Sequence, residues 1–155
     1  MANLQWSRSD EAWIAKHDSE HFEDFEIRVL TDDESVKPSA CQLKSVEDAE
    51  YFASSGLPPT KKLAREYAAE YLGSDEVDEM DDEELEIEVQ TAIIPRLRES
   101  VNTYVVFVGN SDIDIEHGVA IICKNRRVCA VAHSDLAYTP YEWDDTTELD
   151  QLCGG

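Results

Sequence analysis

Basic residues are scarce in this chain. Lys and Arg number 13 against 35 Asp and Glu, which leaves a net charge of −22. Nucleic acid and anionic membrane surfaces both need a positive face, so neither is expected as a partner. Long apolar runs are missing as well, and nothing approaches the ~20 residues of a membrane span. The opening "MANLQWSRSDEAW" lacks the basic start and apolar run of a signal peptide. A cytoplasmic location is therefore expected, where thiols stay reduced. No two of the four cysteines (Cys41, Cys123, Cys129, Cys153) stand in a Cys-x-x-Cys pair.

What is present is a chain of 155 residues, 42% hydrophobic. That is long enough to bury a core as one domain and too apolar for general disorder. The negative charge serves either solubility or the capture of a basic partner, whose encounter it would speed.

Residues 1–21 are polar apart from Trp6 and Trp13, and "EAWIAKH" reads as a short helix. Phe25, Ile27 and Val29 alternate as in a half-buried strand. The turn "TDDES" follows, then a strand or irregular piece over 40–43. Ser45-Val46-Glu47-Asp48 has the spacing of a capping box and opens a helix that ends at Gly56. Thr60 is placed to cap "KKLAREYAAEYLG", the clearest helix, with Leu63, Tyr67 and Tyr71 on one face and Gly73 at its end. That tyrosine stripe reads as core.

Residues 75–88 hold ten carboxylates and no cation. Like charges this dense give either a solvated loop with a short helix or an interaction surface. From Val89 the chain turns apolar and β-branched. "VQTAIIPRL", "TYVVFVG", "VAIIC" and "VCAVA" are four strands joined by short polar turns, an antiparallel meander. A two-residue turn at Asn125-Arg126 pairs Ile122 with Cys129 and sets Cys123 and Cys129 on opposite faces, which argues against a disulfide. Both faces of this hairpin are apolar, so a layer should cover each. Tyr138, Tyr141 and Trp143 are expected to clamp the tail, with a short helix from Thr147. The expected fold is α+β: a single domain over 1–155, an antiparallel β-meander packed against two or three helices, with an acidic segment at 74–88 between the helical part and the sheet.

"DIDIEHG", Asp112 to Gly118, is the densest chemical stretch. Asp112, Asp114 and Glu116 mimic the first three ligand places of an EF-hand loop. That loop needs glycine sixth and glutamate twelfth, where this chain has His117 and Cys123. A transition-metal site would draw on His117, His133, Asp135 and a cysteine, without a His-x-x-x-His or Cys-x-x-Cys spacing to support it. Ile113 and Ile115 fit a strand with carboxylates on one face, and on a strand Glu116 and His117 point to opposite sides and make no dyad. The simplest reading has the acid and the histidine bonding the backbone to fix a turn.

Asp114, Glu116, His117 and Gly118 entering an apolar strand, a short basic turn, then Val131 and Asp135 together resemble an uncharacterised bacterial domain family. Its signature is a Trp-Asp-x-Glu-His-Gly stretch, a hairpin, and a Val-Gly-x-x-Asp-like ending. Ile113 stands here for its tryptophan and Ala132 for its glycine. The resemblance spans about 85–138. It implies helices against an antiparallel sheet, accessory proteins that include candidate immunity proteins encoded near polymorphic toxins, and no established enzymatic activity. The Glu-His-Gly stretch is then a fold signature, with glycine supplying a backbone angle and Glu and His satisfying backbone groups at the hairpin mouth.

The leading expectation is a small acidic cytoplasmic module, non-enzymatic and without cofactor or bound metal. It would bind a basic partner such as a nucleic-acid-acting toxin through Asp75, Glu76, Asp78, Glu79, Asp81, Asp82, Glu83 and Glu84. The alternative is a metal-binding protein or metal-dependent enzyme built on Asp112, Asp114, Glu116, His117, His133 and Asp135. The basic turn "KNRR" makes head-to-tail self-association conceivable, and the terminal Gly154-Gly155 pair resembles a ubiquitin-like tail on a chain with no other β-grasp features.

Overall fold

The computed structural model describes residues 3–154, so Gly155 of the diglycine tail lies outside it. The fold is α+β. Seven strands form one sheet in sequential order: β1 (Gln5–Ser7), β2 (Ala12–Lys16), β3 (Glu26–Val29), β4 (Glu88–Ile94), β5 (Tyr104–Asn110), β6 (Val119–Lys124) and β7 (Arg127–His133). Every neighbour pairs antiparallel except β3 and β4, which run parallel. A parallel pair needs a crossover. Here the crossover carries α1 (Ala40–Ser55), α2 (Lys61–Leu72) and α3 (Ser74–Asp78).

The expected meander is β4–β7, and three N-terminal strands extend it. The helix read at "EAWIAKH" is instead β2. Trp13 packs toward the helices while Ala12 and Ile14 pack on the other side, a period of two that a helix cannot reproduce. The first helix also starts earlier than Ser45. Ser39 is its N-cap: its hydroxyl accepts the Gln42 N–H at 3.1 Å, and the Gln42 side chain accepts the Ser39 N–H at 3.0 Å. Residues 40–43, read as strand or irregular, are thus its first turn. Ser45 and Asp48 face the sheet, where Ser45 accepts the Tyr104 N–H and Asp48 accepts from Thr103 and Arg126.

Two apolar layers result. On the helix side, Phe107 lies among Phe22, Phe25 and Phe52, with ring centroids 5.8, 6.2 and 5.8 Å away. The opposite face is covered by the C-terminal segment, a 3-10 turn over Ser134–Tyr138 and the helix α4 (Thr147–Leu152). Ala137 and Leu149 are fully buried there against Val106, Ile122 and Tyr104. Small and branched residues make this seal, while Tyr138 and Tyr141 stay exposed. Trp143 does clamp: its indole N–H donates to Asp32, and the Arg98 guanidinium lies 4.1 Å from its ring. Among the described residues, no helix is long and apolar enough to cross a membrane.

The β6–β7 hairpin turns at Asn125 and Arg126, both with positive φ (52° and 62°). Beyond the Cys123–Val128 pair the register slips by one, so Ile122 pairs with Ala130 rather than Cys129. This bulge sets which face every later β7 residue occupies.

Candidate functional site

Asp112–His117 is a run of turns, not a strand. Ile113 is buried and Ile115 is 80% exposed, so the apolar alternation fails. The cause is Gly118. Its φ is +74°, its N–H donates to the Asp114 carbonyl at 2.8 Å, and a Cβ there would stand 2.5 Å from the Gly109 carbonyl oxygen on β5. The loop therefore folds back tightly on β5 and turns Asp114 inward.

Asp114 is 6% exposed, covered by its neighbours yet close to the rim of the molecule. Its carboxylate accepts the His117 backbone N–H at 3.2 Å and meets His117 Nδ1 at 3.1 and 3.3 Å. His133 comes from the end of β7. The bulge aligns it with Val119, on the helix side of the sheet with Val131. There its Nε2 lies 3.9 Å from the other Asp114 oxygen. The two imidazole centroids are 5.6 Å apart. Behind His133, its Nδ1 accepts the Asp135 backbone N–H at 3.1 Å, and the Asp135 carboxylate is 3.5 Å away.

Burial opposes the Asp114 charge, but the His117 backbone N–H, the His117 ring and Tyr71 outweigh it and hold the carboxyl below its ordinary value. The effect is mutual: the Asp114 charge, then burial, raises the Tyr71 phenol, and burial, then Asp114, raises that of Tyr67. The two tyrosine rings stack 5.7 Å apart on α2. The Tyr67 hydroxyl is buried without a hydrogen-bond partner. The stripe read as core is only partly so: Ala64 and Ala68 are the buried residues of α2, and Tyr71 is 47% exposed. Their proximity to the loop depends on tertiary packing of α2 against β7 and carries no local sequence signal.

Of the six residues in the metal alternative, the structure brings together Asp114, His117 and His133, with Asp135 behind. Asp112 and Glu116 are exposed and outside the group, and no cysteine joins it. The backbone at the hairpin mouth is satisfied by Asp114, a part the sequence reading gave to Glu116 and His117.

None of the carboxylates of the acidic segment belongs to the group of Asp114, His117 and His133. Val77 and Leu85 of this segment are buried in the helix-side core. Asp81 and Glu84 cap each other's backbone N–H groups at 3.0 and 3.3 Å. Asp75, Glu76, Asp78, Glu79, Asp81, Asp82 and Glu83 all face solvent, and Glu84 is half-buried. Asp82 alone among these eight meets cations, Arg65 at 3.8 Å and Lys61 at 3.9 Å. A groove of about 410 Å³ beside them is lined by Glu83, Glu86, Glu88 and Asp112 with Ile87, Asn110 and Ser111. In the basic turn Lys124 reaches Asp150 at 2.9 Å and Arg126 reaches Asp48 at 2.6 Å, while Arg127 stays exposed.

No family model matches the chain, and neither a curated protein nor a solved structure matches it.

Proposed function

We propose that this protein is a non-enzymatic binding module of the cytoplasm that presents its 75–88 flank to a basic protein, in the manner of an immunity protein facing a nucleic-acid-acting toxin. The observation that carries this reading is the anchoring of that flank. Val77 and Leu85 tie it into the core while seven of the eight named carboxylates face water. Anchored charges are already ordered before a partner arrives, so less conformational entropy is lost on binding than for a free acidic tail. The adjoining groove, with four carboxylates around Ile87, suits the aliphatic stem and cationic head of a lysine or arginine. The resemblance to a family with immunity-protein members supplies the partner class. The four cysteines are free thiols, in keeping with a reducing compartment.

The test is affinity capture of the tagged full chain from lysate of its own source cells, read by mass spectrometry at low and high salt. A parallel capture uses a chain whose eight carboxylates are changed to Asn and Gln, which keep the oxygen acceptors of Asp81 and Glu84. The expected result is one basic protein at near-stoichiometric yield, weakened by salt and lost from the neutralised chain. A partner retained equally by both chains contradicts the reading.

A further inference from the structure

We propose that Asp114, His117 and His133 form a site for one divalent transition-metal ion of the zinc class, held by two imidazole nitrogens and one carboxylate oxygen, with a fourth place open to solvent. The site is separate from the acidic flank and does not depend on the function proposed for it.

One ligand atom from each residue falls within 4.8 Å of the others. Around a tetrahedral ion at ~2.1 Å, ligand atoms stand about 3.4 Å apart. The Asp114–His117 approach, 3.1 and 3.3 Å, already has that spacing, and the Asp114–His133 approach is 3.9 Å. The remaining closure is within reach of ring rotation, because His117 is 56% and His133 34% exposed at the side chain. Imidazole and carboxylate are the donor pair that zinc-class ions prefer over magnesium or calcium, which favour all-oxygen sets.

Closing the turn accounts for Asp114 and His117, and capping the Ser134–Tyr138 turn accounts for His133 Nδ1, but neither accounts for the approach of His133 Nε2 to Asp114. His133 arrives from a different strand, and only the β7 bulge puts it on this face. Its other nitrogen caps the 3-10 turn over Ser134–Tyr138 in the ion-free chain. Nδ1 now accepts the Asp135 N–H, which leaves the ring proton on Nε2. Binding an ion through Nε2 moves that proton to Nδ1. This gives up the bond from the Asp135 N–H, and a small rotation then offers the Nδ1 proton to the Asp135 carboxylate, 3.5 Å away, as ligating histidines commonly require. Asp135 is thus a positioning residue.

On α2 the Tyr67 hydroxyl is buried and unpaired and within range of the Asp114 charge, and such groups are rare without a reason. Entry needs no local unfolding, since His117 already faces solvent.

A chain of charge −22 holds divalent cations loosely anywhere on its surface, so the experiment must see coordination rather than adsorption. Cobalt(II) titration of the chelator-stripped full chain reads the visible absorption of a four-coordinate ion. One equivalent should bind, zinc should displace it, and magnesium in excess should not. His117→Ala and His133→Ala should each abolish the spectrum. Asp135→Asn should weaken binding by about ten- to a hundredfold. The chain neutralised at 75–84 should retain the full spectrum. Melting curves without added metal establish that each variant is folded. Imidazole nitrogen NMR of the unmutated chain removes any dependence on substitution. Zinc should shift His117 and His133 among the four histidines and leave His17 and His21 unmoved. Absence of the cobalt spectrum, its survival in the histidine variants, its loss from the neutralised chain, or zinc shifts at His17 or His21 instead would each overturn the assignment.

Discussion

Replacing Gly118 by alanine perturbs the loop at its tightest point. Two separate terms act there. A left-handed φ costs an L-residue roughly 1–2 kcal/mol. The added methyl would meet the Gly109 carbonyl oxygen at 2.5 Å, in the ladder where Gly109 pairs with Val119. The obstacle is backbone, and forcing atoms into such a packed position adds about 1–3 kcal/mol. The sum, about 2–5 kcal/mol, is a large fraction of the 5–15 kcal/mol typical of a domain. Urea denaturation of Gly118→Ala measures it, and Gly118→Asn separates the two terms. Asparagine tolerates the left-handed region but carries the same Cβ. It should therefore recover about 1 kcal/mol at most. Wild-type stability in the asparagine variant would refute the close-approach argument and leave only the backbone angle.

Other expectations concern the joints of the fold. Gln42 is fully buried, donates to the carbonyls of Leu30 and Pro95 at 2.7 and 3.0 Å, and accepts the Ser39 N–H. Gln42→Leu strands three backbone groups and should cost about 3 kcal/mol or more in denaturant melts. A loss under about 1 kcal/mol would mean water replaces the bonds. Asp150 fastens α4 by accepting from Tyr104, Lys124 and Thr146. Burial opposes its charge, but these three partners prevail and lower its carboxyl. A carboxyl lowered in the folded state stabilises at pH above its unfolded value of ~4, and the gain fades as pH falls through the folded value. Its side chain is 31% exposed, which keeps the effect modest. Asp150→Asn should thus cost about 1–2 kcal/mol at pH 7, with the gap to wild type closing below about pH 4. A gap independent of pH would show that the charge is not involved.

Strands β4 to β7 were legible because their apolar runs are long and bounded by polar turns. The turn at Asn125-Arg126 was legible too, but the bulge beyond it was not, since an extra residue in a strand leaves no mark in apolar alternation. That one residue decides where His133 points. Ser45-x-x-Asp48 imitated a capping box because both side chains serve the sheet from inside a helix that Ser39 caps. In the Asp112–His117 loop, alternation suggested a strand. The tight approach of Gly118 to β5 overrides it, turning Asp114 in and Ile115 out. The acidic run was legible as a charged surface, and its anchoring by Val77 and Leu85 was not, because four scattered apolar residues among ten carboxylates look incidental until the core is seen.

The most direct measurement is the association rate between this chain and its captured basic partner, by stopped-flow across a series of salt concentrations. With the eight carboxylates of the flank intact, association should be fast and fall steeply with salt. With them neutralised it should slow at low salt by roughly ten- to a thousandfold and lose most of its salt dependence. Equal rates and equal salt slopes for the two chains would contradict the claim that the 75–88 flank receives the partner.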